Sequence, residues 1–273
     1  MGGVRKLARR LGLAREAAPA RGFEAPAAPQ RAVVDVFNGL EAKPHQAAMR
    51  AAATNPAEAA FYDQWDRETR KWHHYHAIYD RHLARYRGTG VRLLEIGVHN
   101  GGSLQVMRRY LGSGAVIHGL DLDPRCANID DPDLTIHIGS QDDSDLLTRI
   151  VGEMGGLDVV IDDGSHIWPH QIATFETLFP LLAENGVYLC EDTHTSYWPE
   201  FGGGRPSSDS FVSYARRLVD RLYAPYSLDP GQPADDFARQ TAGIAFYDSV
   251  VVLERARSAP PFHVSVGTRA VIV

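Results

Sequence analysis

The sequence predicts an α/β protein: a doubly wound, mostly parallel seven-stranded sheet with one antiparallel strand, preceded by a helical N-terminal extension. Three observations carry this reading. From residue 91 onward, short apolar runs alternate with helical segments, the pattern of parallel strands joined by helical crossovers. The first of these runs ends in a glycine-containing loop, where open α/β sheets bind their ligands. The last two runs lie too close together for a crossover, so one of them must run antiparallel.

Taken in order, residues 1–31 form a basic and then Ala/Pro-rich terminus, with Arg5, Lys6, Arg9, Arg10 and Arg15, and read as flexible. Residues 32–87 have helical composition. Helices are expected over Pro44–Thr54 and Pro56–Tyr86, the second capped by Asn55 with Pro56 at its first position. Gly88-Thr89-Gly90 breaks the pattern and opens a domain over residues 88–273. Its strands are expected at Val91–Ile96, Val116–Leu120, Leu134–Ile138, Asp158–Ile161, Gly186–Cys190, Ile244–Tyr247 and Ser249–Glu254. Helices are expected at Ser103–Leu111, Asp145–Met154, His170–Leu182 and Ser210–Leu222. A tight reversal near Asp248 joins the last two strands.

Composition narrows the function. The 273 residues carry a formal net charge of -6, which argues against nucleic acid as the main partner. No apolar stretch is long enough to cross a bilayer, so no stable membrane insertion is expected. Cys126 and Cys190 are the only cysteines, too few for a disulfide framework or a CxxC zinc site, and a reduced, cytoplasmic setting is the default. Homo-oligomerisation is left open.

The loop after the first strand reads Glu95-Ile96-Gly97-Val98-His99-Asn100-Gly101-Gly102-Ser103. It departs from the G-x-G-x-x-G dinucleotide fingerprint, because His99 stands where the second glycine belongs. Glu95, just before the loop, would repel a diphosphate, yet it suits the sulfonium and ammonium of S-adenosylmethionine. The expected donor contacts are Glu95, Gly97, Asn100, Gly101 and Ser103 from this loop. Asp121, at the end of the second strand, is placed for the ribose hydroxyls. Gln141 and Asp142 follow the third strand, within reach of an adenine edge. Asp162 joins the donor set, and Tyr75 of the extension is expected to cover the donor.

Two acidic clusters follow at neighbouring strand ends, Asp162-Asp163-Gly164-Ser165-His166 and Glu191-Asp192-Thr193-His194. Clustered carboxylates repel one another, and a hard cation relieves that cost. Asp163, Glu191 and Asp192 are the expected ligands. An all-oxygen set favours magnesium, with calcium or manganese as alternatives. Such an ion would hold an acceptor and lower the pKa of its hydroxyl, with His166 as the base that takes the proton.

These strings carry a resemblance. Leu93-Leu94-Glu95-Ile96-Gly97, Gly101-Gly102-Ser103-Leu104, Ile161-Asp162-Asp163-Gly164-Ser165-His166 and Glu191-Asp192-Thr193-His194-Thr195-Ser196-Tyr197-Trp198 resemble the metal-dependent sugar O-methyltransferases of antibiotic biosynthesis, of the mycinamicin, macrocin and rhamnosyl type. The resemblance spans roughly residues 65–254. It implies a Rossmann-like fold, a methyl donor, magnesium and a sugar hydroxyl as acceptor, with Asp163 as catalytic metal ligand, His166 as base, and Glu191 and Asp192 completing the metal site. The large N-terminal domain of the mycinamicin enzyme is not evident here. Trp168, Tyr197 and Trp198, just beyond the catalytic strings, are the expected faces for the acceptor's sugar ring. The rival readings are a metal-dependent oxidoreductase or hydroxylase and a non-catalytic binding module. The broken glycine fingerprint and the intact candidates for donor, metal and base argue against both.

Overall fold

A computed structural model of the chain describes residues 42–204, 209–229, 231, 233–256 and 262–267. The terminus expected over residues 1–31 lies outside them. Seven strands form one sheet in the order β3-β2-β1-β4-β5-β7-β6. They are β1 (Arg92–Ile96), β2 (Val116–Asp121), β3 (Leu134–Ile138), β4 (Leu157–Asp162), β5 (Leu182–Cys190), β6 (Thr241–Tyr247) and β7 (Val250–Arg255). β7 pairs antiparallel with both β5 and β6, as the short connection required, and Ser249 takes φ +66° in the reversal.

Alternate residues of each strand feed two cores, so apolar runs rather than half-polar alternation fill the central strands. Leu93, Ile117, Ile161 and Leu189 face one side; helix α1 (Ala42–Ala52) packs on α2 (Pro56–Tyr62), which with α3 (Tyr75–Leu83) and α4 (Gly102–Leu111) covers that side. Leu94, Leu120, Val160 and Tyr188 face the other, under α5 (Ser144–Glu153), α6 (Trp168–Leu178), α7 (Phe211–Tyr223) and the short α8 (Asp236–Gln240). Ala57, Ala60, Tyr79 and Leu83 of the extension belong to the first core, so α2 and α3 pack directly on the sheet.

The single long helix expected over Pro56–Tyr86 is a correction. Asn55 does cap α2, accepting from the Glu58 amide at 2.9 Å, but the helix stops at Tyr62 and α3 begins only at Tyr75. The intervening Asp63-Gln64-Trp65-Asp66-Arg67-Glu68-Thr69-Arg70-Lys71-Trp72-His73-His74 offers no apolar stripe at helical spacing. Its side chains find partners on other elements instead, Gln64 and Asp66 on Gln105 and His73 on Glu58. Helix α6 also ends earlier than expected, because Pro180 sits in the 3-10 turn Phe179–Leu181 that follows it. Helix α8 was not foreseen.

Candidate active site

The carboxyl ends of β1, β4 and β5 are level. Ile96 pairs with Asp162, and Asp162 with Cys190, so the next residues on each chain emerge side by side. The Asp163 amide donates to the Ile96 carbonyl at 3.0 Å, and the Glu191 amide to the Asp162 carbonyl at 2.9 Å. Gly97 takes φ +92°, and a Cβ there would lie 2.1 Å from the Asp163 carbonyl oxygen, a contact only glycine permits. Three other residues adopt left-handed backbone beside these strand ends: His99 (φ 50°), His166 (φ 57°) and Asp192 (φ 50°). Strain of this kind gathers where side-chain direction matters to function.

Asp163, His166 and Asp192 each bring one ligand atom within 4.8 Å of the others. His166 Nε2 stands 3.8 Å from both Asp163 Oδ1 and Asp192 Oδ2, and its buried Nδ1 has no hydrogen-bond partner among the described residues. This trio differs from the expected Asp163, Glu191 and Asp192. Glu191 is fully buried, with Oε1 accepting from the Tyr79 hydroxyl and Oε2 from Lys71.

Lys71, which sequence reasoning missed, enters from the break between α2 and α3. Its Nζ donates to Asp163 Oδ2 at 2.6 Å and Glu191 Oε2 at 2.8 Å, and lies 3.6 Å from Glu95 Oε1. Burial alone would push its pKa down, but the Asp163 and Glu191 carboxylates outweigh it and hold it well above the ordinary range. Burial raises the pKa of Glu191, with Lys71 opposing, and raises that of Glu95 in the same way. Both Glu95 oxygens are buried, and the nearest cation, Lys71 Nζ, stands 3.6 Å from Oε1, beyond hydrogen-bond distance. A fully buried carboxylate beside a glycine loop fits a ligand that brings a cation to it. The Lys71 ammonium likewise shows that the carboxylate cluster accepts a positive charge at its centre.

The other expected donor residues divide. Asp121 lines a cavity of about 710 Å³ together with His99, Asn100 and Cys126, but its carboxylate is engaged. Oδ2 accepts from the Val98 and His99 amides at 2.9 Å each, and Oδ1 from the Asp123 amide at 2.8 Å. Asn100 Nδ2 donates to Glu68 Oε2 at 3.3 Å, and Gly101 (φ +81°) and Ser103 lie at the start of α4. Asp142 is partly exposed, with its Oδ2 3.7 Å from His170 Nε2. Gln141 and Asp162 are buried and fully engaged. Gln141 Nε2 donates to Asp162 Oδ1 and to Thr174 Oγ1, each at 3.0 Å, and its Oε1 accepts from the Ser165 amide at 2.7 Å. Tyr188 donates to Asp162 Oδ2 at 2.7 Å. In this arrangement both residues brace the frame through these partners. The Tyr75 hydroxyl donates to Asp192 Oδ1 at 2.6 Å and so orients the acidic cluster.

Aromatic rings wall the far side. His194 and Trp198 are 4.7 Å apart between centroids, Trp198 and Phe201 5.9 Å, and Phe201 lies 6.2 Å from His166. Trp72, beside Lys71 in the break, reaches His194 at 6.2 Å. Of the residues expected to face an acceptor, Trp198 belongs to this wall. Tyr197 is half exposed, and Trp168 packs beside Gly202.

Residues 94–193 match the family of methyltransferase domains. The chain is 35% identical over 228 residues to the 8-demethyl-8-(2-methoxy-alpha-L-rhamnosyl)-tetracenomycin-C 3'-O-methyltransferase of Streptomyces olivaceus, covering 77% of this chain and 57% of that protein. It is 35% identical over 191 residues to the mycinamicin VI 2''-O-methyltransferase of Micromonospora griseorubida, covering 66% and 47%. Among solved structures, the MycE methyltransferase from the mycinamycin biosynthetic pathway, in complex with Mg, SAH and mycinamycin VI, aligns with TM-score 0.64 at 31% identity, over 74% of this chain and 53% of that one. The chain spans about half the length of the curated relatives it matches.

Proposed function

We propose, from the match of residues 94–193 to methyltransferase domains and the likeness to sugar O-methyltransferases of antibiotic pathways, that the chain methylates a sugar hydroxyl of a glycosylated natural product. The donor is S-adenosylmethionine and the metal is magnesium. The reaction belongs in the reducing cytoplasm, in keeping with two free, buried cysteines. Among the described residues no helix is long and apolar enough to cross a membrane.

The observation that carries the reading is the meeting of Asp163, His166 and Asp192 beside the fully buried Glu95. Asp163 and Asp192, with Glu191 behind them, would hold the divalent cation. When bound, it supplies a positive charge that acidifies a hydroxyl of the acceptor. His166 takes the proton released from that hydroxyl at its Nε2, which already faces both aspartates. Glu95 attracts the cationic end of the donor, and the glycine loop lets the main chain approach it. Trp198, His194 and Phe201 present ring faces against which a sugar stacks, excluding water and fixing which hydroxyl meets the donor methyl.

The test is transfer of labelled methyl from S-adenosylmethionine to rhamnosylated tetracenomycin C or mycinamicin VI. Label should appear on the sugar, vanish with a chelator and return with magnesium. Absence of transfer to any glycosylated acceptor, or transfer indifferent to chelation, would sink the proposal.

A further inference from the structure

Residues 63–74 form an irregular strap between α2 and α3. Its main chain lies across the glycine loop: a Cβ on Gly102 would meet the Glu68 and Arg67 carbonyl oxygens at 2.4 and 2.6 Å. Asp66, Arg67 and Glu68 also line the 710 Å³ cavity beside Asp121. Gln64 anchors one end, donating to the Arg67 carbonyl at 2.9 Å and to Gln105 Oε1 at 2.6 Å. Between Gln64 and Tyr75 every residue is half-buried or exposed. The side chains of Glu68 and Arg70 stand well out in solvent, at 64% and 75% exposure, whereas that of Lys71 is 6% exposed. The strap's deepest anchor is therefore a single ammonium among carboxylates.

That ammonium uses oxygens on two of the three carboxylates expected to hold a metal. Asp163 gives Oδ2 to Lys71 while its Oδ1 faces His166, and Glu191 gives Oε2 to Lys71. A magnesium ion binds carboxylate oxygens at about 2.0–2.1 Å and a calcium ion at about 2.3–2.6 Å. An ion bridging Asp163 and Glu191 would sit almost where Nζ sits, so the two cations exclude each other by contact and by charge.

We propose that Lys71 is a tethered counter-ion of the acidic cluster, and that a divalent cation enters only by displacing it, which frees the strap from the mouth of the donor cavity. Metal loading and strap release are then one event. Without metal, the lysine neutralises carboxylates that would otherwise repel one another. With metal, the ammonium leaves, Glu191 becomes a ligand, and His166 is left to its proton. The inference rests on the reading of this cluster as the metal site.

Manganese binding, measured by calorimetry on the full chain, and amide hydrogen exchange of peptides covering 65–74 test it together. Lys71→Met should bind Mn²⁺ at least about tenfold more tightly than the wild type, since the competing state is gone. In the wild type, Mn²⁺ should speed exchange across 65–74. In Lys71→Met these amides should exchange fast before metal is added. The exchange result on the wild type stands even where the variant folds poorly: slower or unchanged exchange on metal addition would overturn the proposal. So would Lys71→Met affinity equal to or weaker than wild type. Asp163→Asn separates the two claims. If it loses Mn²⁺ while Lys71→Met gains nothing, the metal site stands and the role of Lys71 falls. If Asp163→Asn binds Mn²⁺ as tightly as the wild type, the metal assignment itself falls.

Discussion

At the carboxyl edge of the sheet, its two faces treat buried carboxylates in opposite ways. On the side of α5 and α6, Asp162 is completely enclosed and both of its oxygens have neutral donors, Tyr188 and Gln141. On the side of α3, Glu95, Asp163 and Glu191 continue the alternation of Leu93, Ile161 and Leu189, and one buried lysine serves all three. The first arrangement closes a structure and leaves nothing to bind. The second balances charge with a group that can leave. A carboxylate with fixed neutral donors is scaffold, whereas carboxylates sharing one tethered cation are poised for exchange with another.

The comparison can be broken at the seam between β1 and β4. Gly97→Ala drives a Cβ into the Asp163 carbonyl at a φ that side chains avoid. A loss of more than about 4 kcal/mol is expected by denaturant unfolding, because the strand ends must part. A variant within about 1 kcal/mol of wild type would show that the close approach is relaxed at little cost.

On the scaffold face, burial raises Asp162 to a pKa of about 6 despite the hydrogen bond from Tyr188. A folded-state pKa above the unfolded value of 3.8 means that this group favours the fold most at low pH. That contribution is present below about pH 4 and lost as pH rises through about 6. The span corresponds to about 3 kcal/mol. Asp162→Asn should remove this slope, so the stability curves of variant and wild type should diverge between pH 4 and 6. Parallel curves across that window would contradict the assignment.

On the exchange face the effects should fall on chemistry instead. His166→Ala, with metal saturating, should lower kcat by about a hundredfold or more while leaving Mn²⁺ affinity within a few-fold. Loss of metal binding in that variant would make His166 a ligand and not the base. Tyr75→Phe removes the hydroxyl that orients Asp192. Metal affinity should weaken by about tenfold, with donor affinity unchanged. The reverse split would return Tyr75 to the donor side.

The contrast also explains what could be read in advance. All seven strands and the meeting of Asp163 with Asp192 were legible, because register alone brings neighbouring strand ends together. Asp162 and Asp163 look alike as letters, yet successive residues face opposite sides of a sheet, and the alternation of Val160, Ile161 and Asp162 assigns them when followed to its end. Gln141 offered no such count, since it follows β3 in a loop. Lys71 was out of reach: its partners lie 92 and 120 residues away, and a polar run says only that a helix lacks a stripe. The residue numbers of Glu191 and Tyr75 were legible, but the direction each polar group turns depends on neighbours from other elements.

One feature of the hairpin between β6 and β7 bears on how the chain acquires its site. The Ser249 carbonyl accepts from the Tyr75 hydroxyl at 3.3 Å and from the Thr193 amide at 3.0 Å. The Ser249 hydroxyl pairs with His194 Nδ1, and His74 Nε2 meets the Asp248 carbonyl at 3.0 Å. The start of α3 is thus pinned by a turn 174 residues downstream. Closing a contact of such long sequence separation costs chain entropy that other interactions must offset. The orientation of Asp192 and part of the aromatic wall thus depend on the hairpin being in place. A chain lacking β6 and β7 would lose at once the neighbour of β5 and the partners that hold the start of α3 against the acidic cluster.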